Sequence, residues 1–143
     1  MGYLDEYAEK GLAEERRARK VKRALLSLLI CLLIAGALYY WFKNYKEEKR
    51  VQEFMTALQR GDYAAAYAYW GCKVEAPCPN YDYKSFLEDW GPNSPVGKVQ
   101  SYRMGVSHER GSGVVIPVSI NGRKPVVLWV EKSNGVLGFA PPF

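Results

Sequence analysis

The chain has 143 residues, with 20 Lys+Arg against 15 Asp+Glu and a formal net charge of +5. That length suits one domain and is too short for a barrel enzyme or a two-domain dehydrogenase. With 48% hydrophobic and 24% charged residues, it is neither a disordered chain nor an acidic solvating tail. Residues 1–23 carry seven basic and five acidic side chains, residues 24–42 carry none, and residues 43–143 carry thirteen and ten. No segment is a basic stripe that would neutralise a nucleic-acid backbone, so nucleic acid is not an expected partner.

Residues 1–23 read as a charged arm on the cytoplasmic side, partly helical. Leu4, Tyr7, Ala8 and Leu12 recur at helical spacing, and a mixed charge run follows from Glu14 to Lys20. Such a stretch is either an interfacial or partner-binding helix or a solvated tail that sets topology. Ala24 to Phe42 reads ALLSLLICLLIAGALYYWF, 19 residues without a charge. As a helix it spans roughly 28 Å, close to the thickness of a hydrocarbon core. Lys20, Lys22 and Arg23 precede it, and Tyr39 to Phe42 close it with an aromatic belt before Lys43.

A cleaved signal peptide is the competing reading, since Ala35-Gly36-Ala37 has the small-x-small form. A long preceding region of mixed charge and an apolar run that continues past that site favour the membrane anchor. Ala35, Gly36 and Ala37 then become the face on which a neighbouring helix can approach closely. Seven Lys/Arg stand before the span and four (Lys43, Lys46, Lys49, Arg50) within eight residues after it. This asymmetry places the N-terminus in the cytoplasm and the C-terminal domain outside, in the periplasm of a cell with an inner membrane.

Residues 43–60 form a helical connector and the first domain helix, and residues 61–143 the rest of the domain. Val51, Phe54, Met55 and Leu58 mark one apolar face, and the membrane helix is expected to run on into it with a bend near Asn44. Gly61 stops that helix. Asp62 caps a second helix, Tyr63 to Trp70, and Asp82 a third through Trp90. Cys72 and Cys78 frame the loop CKVEAPC between them. A disulfide is favoured there over zinc, because only His108 exists to complete a ligand set, and over free thiols. No metal or cofactor is expected.

Beyond Gly91-Pro92-Asn93-Ser94-Pro95 the period changes to 2. Residues 98–109 are predicted as one strand with Tyr102, Met104, Val106 and His108 on one face. Val114 to Ile120 is the second strand, Asn121-Gly122 a hairpin turn, Pro125 to Glu131 the third strand and Val136 to Ala140 the last. Three helices followed by a four-strand antiparallel meander make an α+β fold, with the helices packed on one face of the sheet.

The run FMTALQRGDYAAAYAYW resembles the opening helix pair of the NTF2-like (cystatin-like) superfamily, in particular its small membrane-anchored extracytoplasmic members. SFLEDWGP followed by GKVQSYRMGV resembles that family's third helix and first long strand. The likeness covers residues 46–140 and implies a curved sheet. It carries no catalytic signature. The cysteine loop stands where family members often have a short strand pair, and the last strand is short.

His108 is the only near-neutral acid/base available. It lies at a strand end beside a glycine-rich turn and reads as a polar surface residue rather than a catalyst. Tyr67, Tyr69, Tyr81, Tyr83 and Tyr102 line a pocket or belong to core and rim. The function expected is that of a non-catalytic accessory subunit of a larger membrane complex, respiratory, photosynthetic or transport. It would be held by its membrane helix in the bilayer and by its domain. Trp70, Trp90 and Phe143 are candidate docking residues, with core packing as the competing role of the tryptophans. The alternative is a membrane-tethered domain that binds or turns over a small apolar ligand, although no small-molecule partner is expected.

Overall fold

The computed structural model describes residues 2–141, so Phe143 lies outside the described residues. Two compact units divide the chain, Met1–Lys43 and Asn44–Phe143.

The first unit is a single helix, α1 (Tyr3–Phe42), 40 residues and roughly 60 Å long. The charged arm is therefore helical from Tyr3, more fully than the weak stripe of Leu4 and Leu12 implied. Lys10 pairs with Glu6 at 2.7 Å and Arg19 with Glu15 at 3.1 Å, both one turn apart and exposed. Such pairs each contribute only about 0.3–0.5 kcal/mol, enough to bias an isolated turn. The helix stops at Phe42. Lys43 and Asn44 form a turn, and Asn44 leaves helical geometry at φ −107°, ψ 13°.

The second unit contains α2 (Tyr45–Gln59), α3 (Tyr63–Ala68) and α4 (Tyr83–Trp90). Val51, Phe54, Met55 and Leu58 of α2 are at most 1% exposed, as their spacing predicts. A Schellman closure ends α2: Asp62 N–H donates to Ala57 O and Gly61 N–H to Leu58 O, with Gly61 at φ +72°. The two caps form as expected. Asp62 Oδ1 accepts from Ala65 N, and Asp82 Oδ1 from Ser85 N. The second of these bonds holds the Asp82 carboxyl below the usual carboxylate range.

The sheet has five antiparallel strands rather than four: β1 (Tyr102–Met104), β2 (His108–Arg110), β3 (Gly113–Ile120), β4 (Val126–Glu131) and β5 (Leu137–Phe139). The order is β1-β3-β4-β5, with β2 also on β3. The single strand expected over 98–109 is broken, and Pro117 explains the break. Met104 faces Val118 and His108 faces Val115, so Gly105, Val106 and Ser107 oppose only Ile116 and Pro117. Pro117 O accepts from Gly105 N at 2.7 Å, but proline has no N–H to return. An extra residue is accommodated there as a bulge, where prolines inside sheets belong. Gly105 permits it, since a Cβ would sit 2.7 Å from Pro117 Cγ. The bulge also turns Val106 out to 69% exposure instead of leaving it beside Met104.

Val114, Ile116, Val118, Ile120, Leu128, Val130 and Leu137 form the sheet's inner face, each 3% exposed or less. They pack with the apolar faces of α2, α3 and α4 into one core. The Asn121-Gly122 turn between β3 and β4 has both central residues left-handed, at φ 51° and 71°, and Arg123 N closes it on Ile120 O at 3.0 Å, the form of a type I′ turn.

Asn121 does more than turn the chain. Its Oδ1 accepts from Gln100 N and Ser101 N, and its Nδ2 donates to Lys98 O at 2.9 Å and Val96 O at 3.3 Å. One amide thus holds the segment leading into β1. Asn121→Asp keeps the acceptor but sets a carboxylate oxygen against two carbonyls. We expect a loss of about 2 kcal/mol, or a fall in melting temperature of about 10 °C for a unit of this size. Near-UV dichroism of the full chain in mild detergent measures it, and an unchanged melting curve refutes the clamp.

Candidate functional site

Trp70 and Trp90, expected as docking residues, are 8% and 2% exposed. Both belong to an aromatic cluster inside the domain. Phe54 of α2 meets Trp70 at 6.1 Å, Phe86 at 6.4 Å and Trp90 at 5.1 Å, each edge to face. The Phe139 ring lies 4.8 Å from Trp70 and stacks on Trp90 at 6.3 Å. Docking through either indole is not open to the folded domain, because Phe54, Phe86 and Phe139 occupy the faces a partner would need.

Cys72 and Cys78 are bonded to each other, with Cα atoms 5.3 Å apart. Cys31 is free and exposed on α1. The loop closed by the bridge is short, so the chain-entropy gain is about 2 kcal/mol. The Tyr67 hydroxyl donates to Tyr81 O at 2.5 Å and accepts from Cys78 N at 3.2 Å. That makes fully buried Tyr67 a core strut for the loop and not a pocket wall.

Tyr81 is half-buried at the edge of the cluster and donates its hydroxyl to Asp89 Oδ2 at 2.8 Å. Burial first, then the Asp89 carboxylate, hold it well above the usual tyrosine range. The Trp70 indole N–H finds no acceptor among the described residues. That of Trp90 approaches the Tyr81 oxygen without reaching hydrogen-bond geometry, which tempers the rise.

His108 is exposed on β2, opposite Val115. Its neighbour Glu109 is paired with Lys132 beyond the end of β4. Histidine and carboxylate are therefore not assembled as an acid–base couple. Among the described residues no group of three His, Cys, Asp or Glu could hold a metal ion.

Among the described residues two surfaces are candidates for binding. One is α1, which has no buried residue and is the one helix, among those described, long and apolar enough to cross a membrane. Ala35, Gly36 and Ala37 lie on it with open space around Gly36. The other is a depression of about 430 Å³ on the domain, lined by Ser101, Tyr102, Arg103, Ser119, Gly122 and Arg123. Sequence reasoning missed it. A signal was present: residues 92–130 hold five Lys/Arg and a single acid, Glu109. Comparison with known protein families, characterised proteins and solved structures finds no match to this chain.

The raised Tyr81 makes a pH prediction. Above pH ~10 the unfolded chain gives up this proton while the folded chain keeps it. Its contribution is therefore complete below pH ~10 and is lost as pH climbs beyond it. Denaturation curves between pH 9 and 11 should fall less steeply for Tyr81→Phe than for the parent. Equal slopes would count against the burial of that hydroxyl.

Proposed function

We propose that this protein is a non-catalytic single-pass membrane accessory subunit. Residues 24–42 anchor it in the cytoplasmic membrane, the arm lies in the cytoplasm and the domain lies outside. The observation that carries the reading is the exposure of α1: Leu25, Leu28, Leu32, Leu33 and Leu38 are each more than half exposed. Apolar surface on that scale calls for lipid or another protein to cover it. The disulfide supports an oxidising compartment for the domain. The excess of basic residues before the span supports the same orientation.

An accessory role is favoured over a tethered catalyst by how the chain leaves the helix. A catalyst gains reach from a flexible Gly/Ser/Pro linker. Here only Lys43 separates the last residue of α1 from Asn44, which is 3% exposed within the domain and donates through Nδ2 to Ser107 Oγ at 3.0 Å. The interior of the domain is also occupied, with Tyr67, Phe54, Phe86 and Met55 fully buried where an apolar ligand would have to sit.

The same reading takes the domain as NTF2-like. What supports it is the element order, three helices and then an antiparallel sheet whose inner face meets them. The partner is then an integral membrane complex, respiratory, photosynthetic or transport in kind, reached through α1 and the outer surface of the domain.

Orientation is tested with one free thiol. In Cys31→Ser/Ser112→Cys the exposed turn residue 112 should take one impermeant maleimide per chain in intact cells. Labelling only after permeabilisation reverses the topology, and three labels per chain deny the bridge.

Assembly is tested by recovery from native membranes in mild detergent. Wild-type protein should bring integral membrane partners with it. Gly36→Leu fills the small-residue face and should lower their recovery at least tenfold, whereas His108→Ala leaves it unchanged. Normal assembly with lost activity in His108→Ala would favour an enzyme instead.

A further inference from the structure

We propose that the depression beside the Asn121–Gly122 turn is a binding site for a phosphate-type oxyanion. It lies on the face of the sheet opposite the core. Arg103 and Ser119 are direct cross-strand partners of β1 and β3 there, and Ser101, Tyr102, Gly122 and Arg123 complete the rim. Two arginines and two serines are among the residues that line about 430 Å³, and no Asp or Glu is.

The charges are unspent. The Arg103 side chain makes no ion pair or hydrogen bond with any described residue, and the same holds for the hydroxyls of Ser101 and Ser119. Arg123 donates one N–H to Pro95 O, which fixes its position and leaves the other donors of its fork. The residues that line the depression, Ser101, Tyr102, Arg103, Ser119, Gly122 and Arg123, include two arginines and neither Asp nor Glu. An anion entering the depression therefore meets no carboxylate among its lining residues.

The walls are in place before any ligand arrives. Ser101 N donates to Asn121 Oδ1 at 3.2 Å, and Ser101 O accepts from Asn121 N at 2.9 Å. Arg123 N donates to Ile120 O at 3.0 Å across the turn. Preorganisation of this kind lowers the ordering cost of binding. An arginine fork pairs with carboxylate and phosphate alike, and the three terminal oxygens of a phosphoryl group offer more acceptors to two arginines and two serines than the two of a carboxylate. The volume admits a phosphoryl group with a small substituent.

The test is calorimetric titration of the full chain, in neutral detergent at low salt, with inorganic pyrophosphate. Saturable binding is expected. Arg103→Gln should weaken it at least tenfold and Ser119→Ala a fewfold. The Arg103 side chain is exposed and bonds to no described residue, so its replacement is expected to leave the fold intact, and near-UV dichroism verifies this. Arg123→Gln should weaken binding at least tenfold as well; if it unfolds the domain, Arg103→Gln alone decides. A variant with Arg16, Arg17, Arg19 and Lys20 changed to Gln should bind as the parent does.

Nanodiscs distinguish the source of the group. Pyrophosphate binding that disappears when phosphatidylglycerol replaces phosphatidylcholine identifies a lipid headgroup as the occupant. Binding that persists identifies a soluble phosphate compound, and either result supports the site. Absence of saturable binding overturns the proposal, as does binding untouched by Arg103→Gln or abolished in the arm variant.

Discussion

Trp70 is where the helices, the cysteine loop and the sheet of the domain come together. Its ring meets Phe54 of α2, Phe86 and Trp90 of α4, Tyr81 of the loop and Phe139 of β5. Each contact is tilted or edge to face, the arrangement that the quadrupoles of the rings favour. Replacing such a tryptophan by alanine costs about 3–5 kcal/mol, a large part of a small domain's stability. The chain backs this cluster with directional bonds. Leu137 N donates to Tyr69 O at 2.9 Å, bringing β5 to the end of α3. Tyr67 and the Cys72–Cys78 bridge hold the loop that carries Tyr81. Aromatic residues that look like recognition elements in the sequence are thereby committed to cohesion.

The sheet is shaped by one missing donor. Pro117 lies in the central part of β3, and its absent N–H faces the β1–β2 side of the ladder. The bulge that results ends one short strand and begins another. Its last residue, Ser107, receives a bond from Asn44 and gives one to Glu48 Oε1 at 2.6 Å. The defect therefore ties the sheet to the start of α2. At the other end of β3, Asn121 gathers the approach to β1. With both ends of β3 pinned, Arg103 and Ser119 are held beside one another on the outer face, where neither contributes to the core.

The first unit follows a different physics. A helix with 40 residues and no buried side chain is not stabilised by packing within its own chain, so its surroundings must supply the apolar contact. Inside a bilayer the helix satisfies its own backbone and lipid covers its side chains. Under the proposed anchoring, the basic residues between Arg16 and Arg23 would lie at the headgroups, where snorkelling keeps their charges hydrated. The proposed role as an anchored subunit is the simplest state in which the apolar surface of α1 is covered.

Local rules were enough for much of this. The apolar helical stretch from Ala24 to Phe42, the face of Val51, Phe54, Met55 and Leu58, the two aspartate caps, the Asn-Gly turn and the bridged cysteines all follow from residues close in sequence. Periods, caps and turns are decided by neighbours a few positions away, so a reader of the chain alone can find them. Tertiary structure decided what depends on distant partners. Alternation could not show that Pro117 would break the strand opposite it into two. Nor could composition tell a docking tryptophan from a buried one, since Trp70 is defined by rings at positions 54, 81, 86, 90 and 139. The basic depression is of the same kind: Arg103 and Arg123 are twenty residues apart, and they share a surface because β3 returns the chain antiparallel to β1 and Asn121 holds the two ends together.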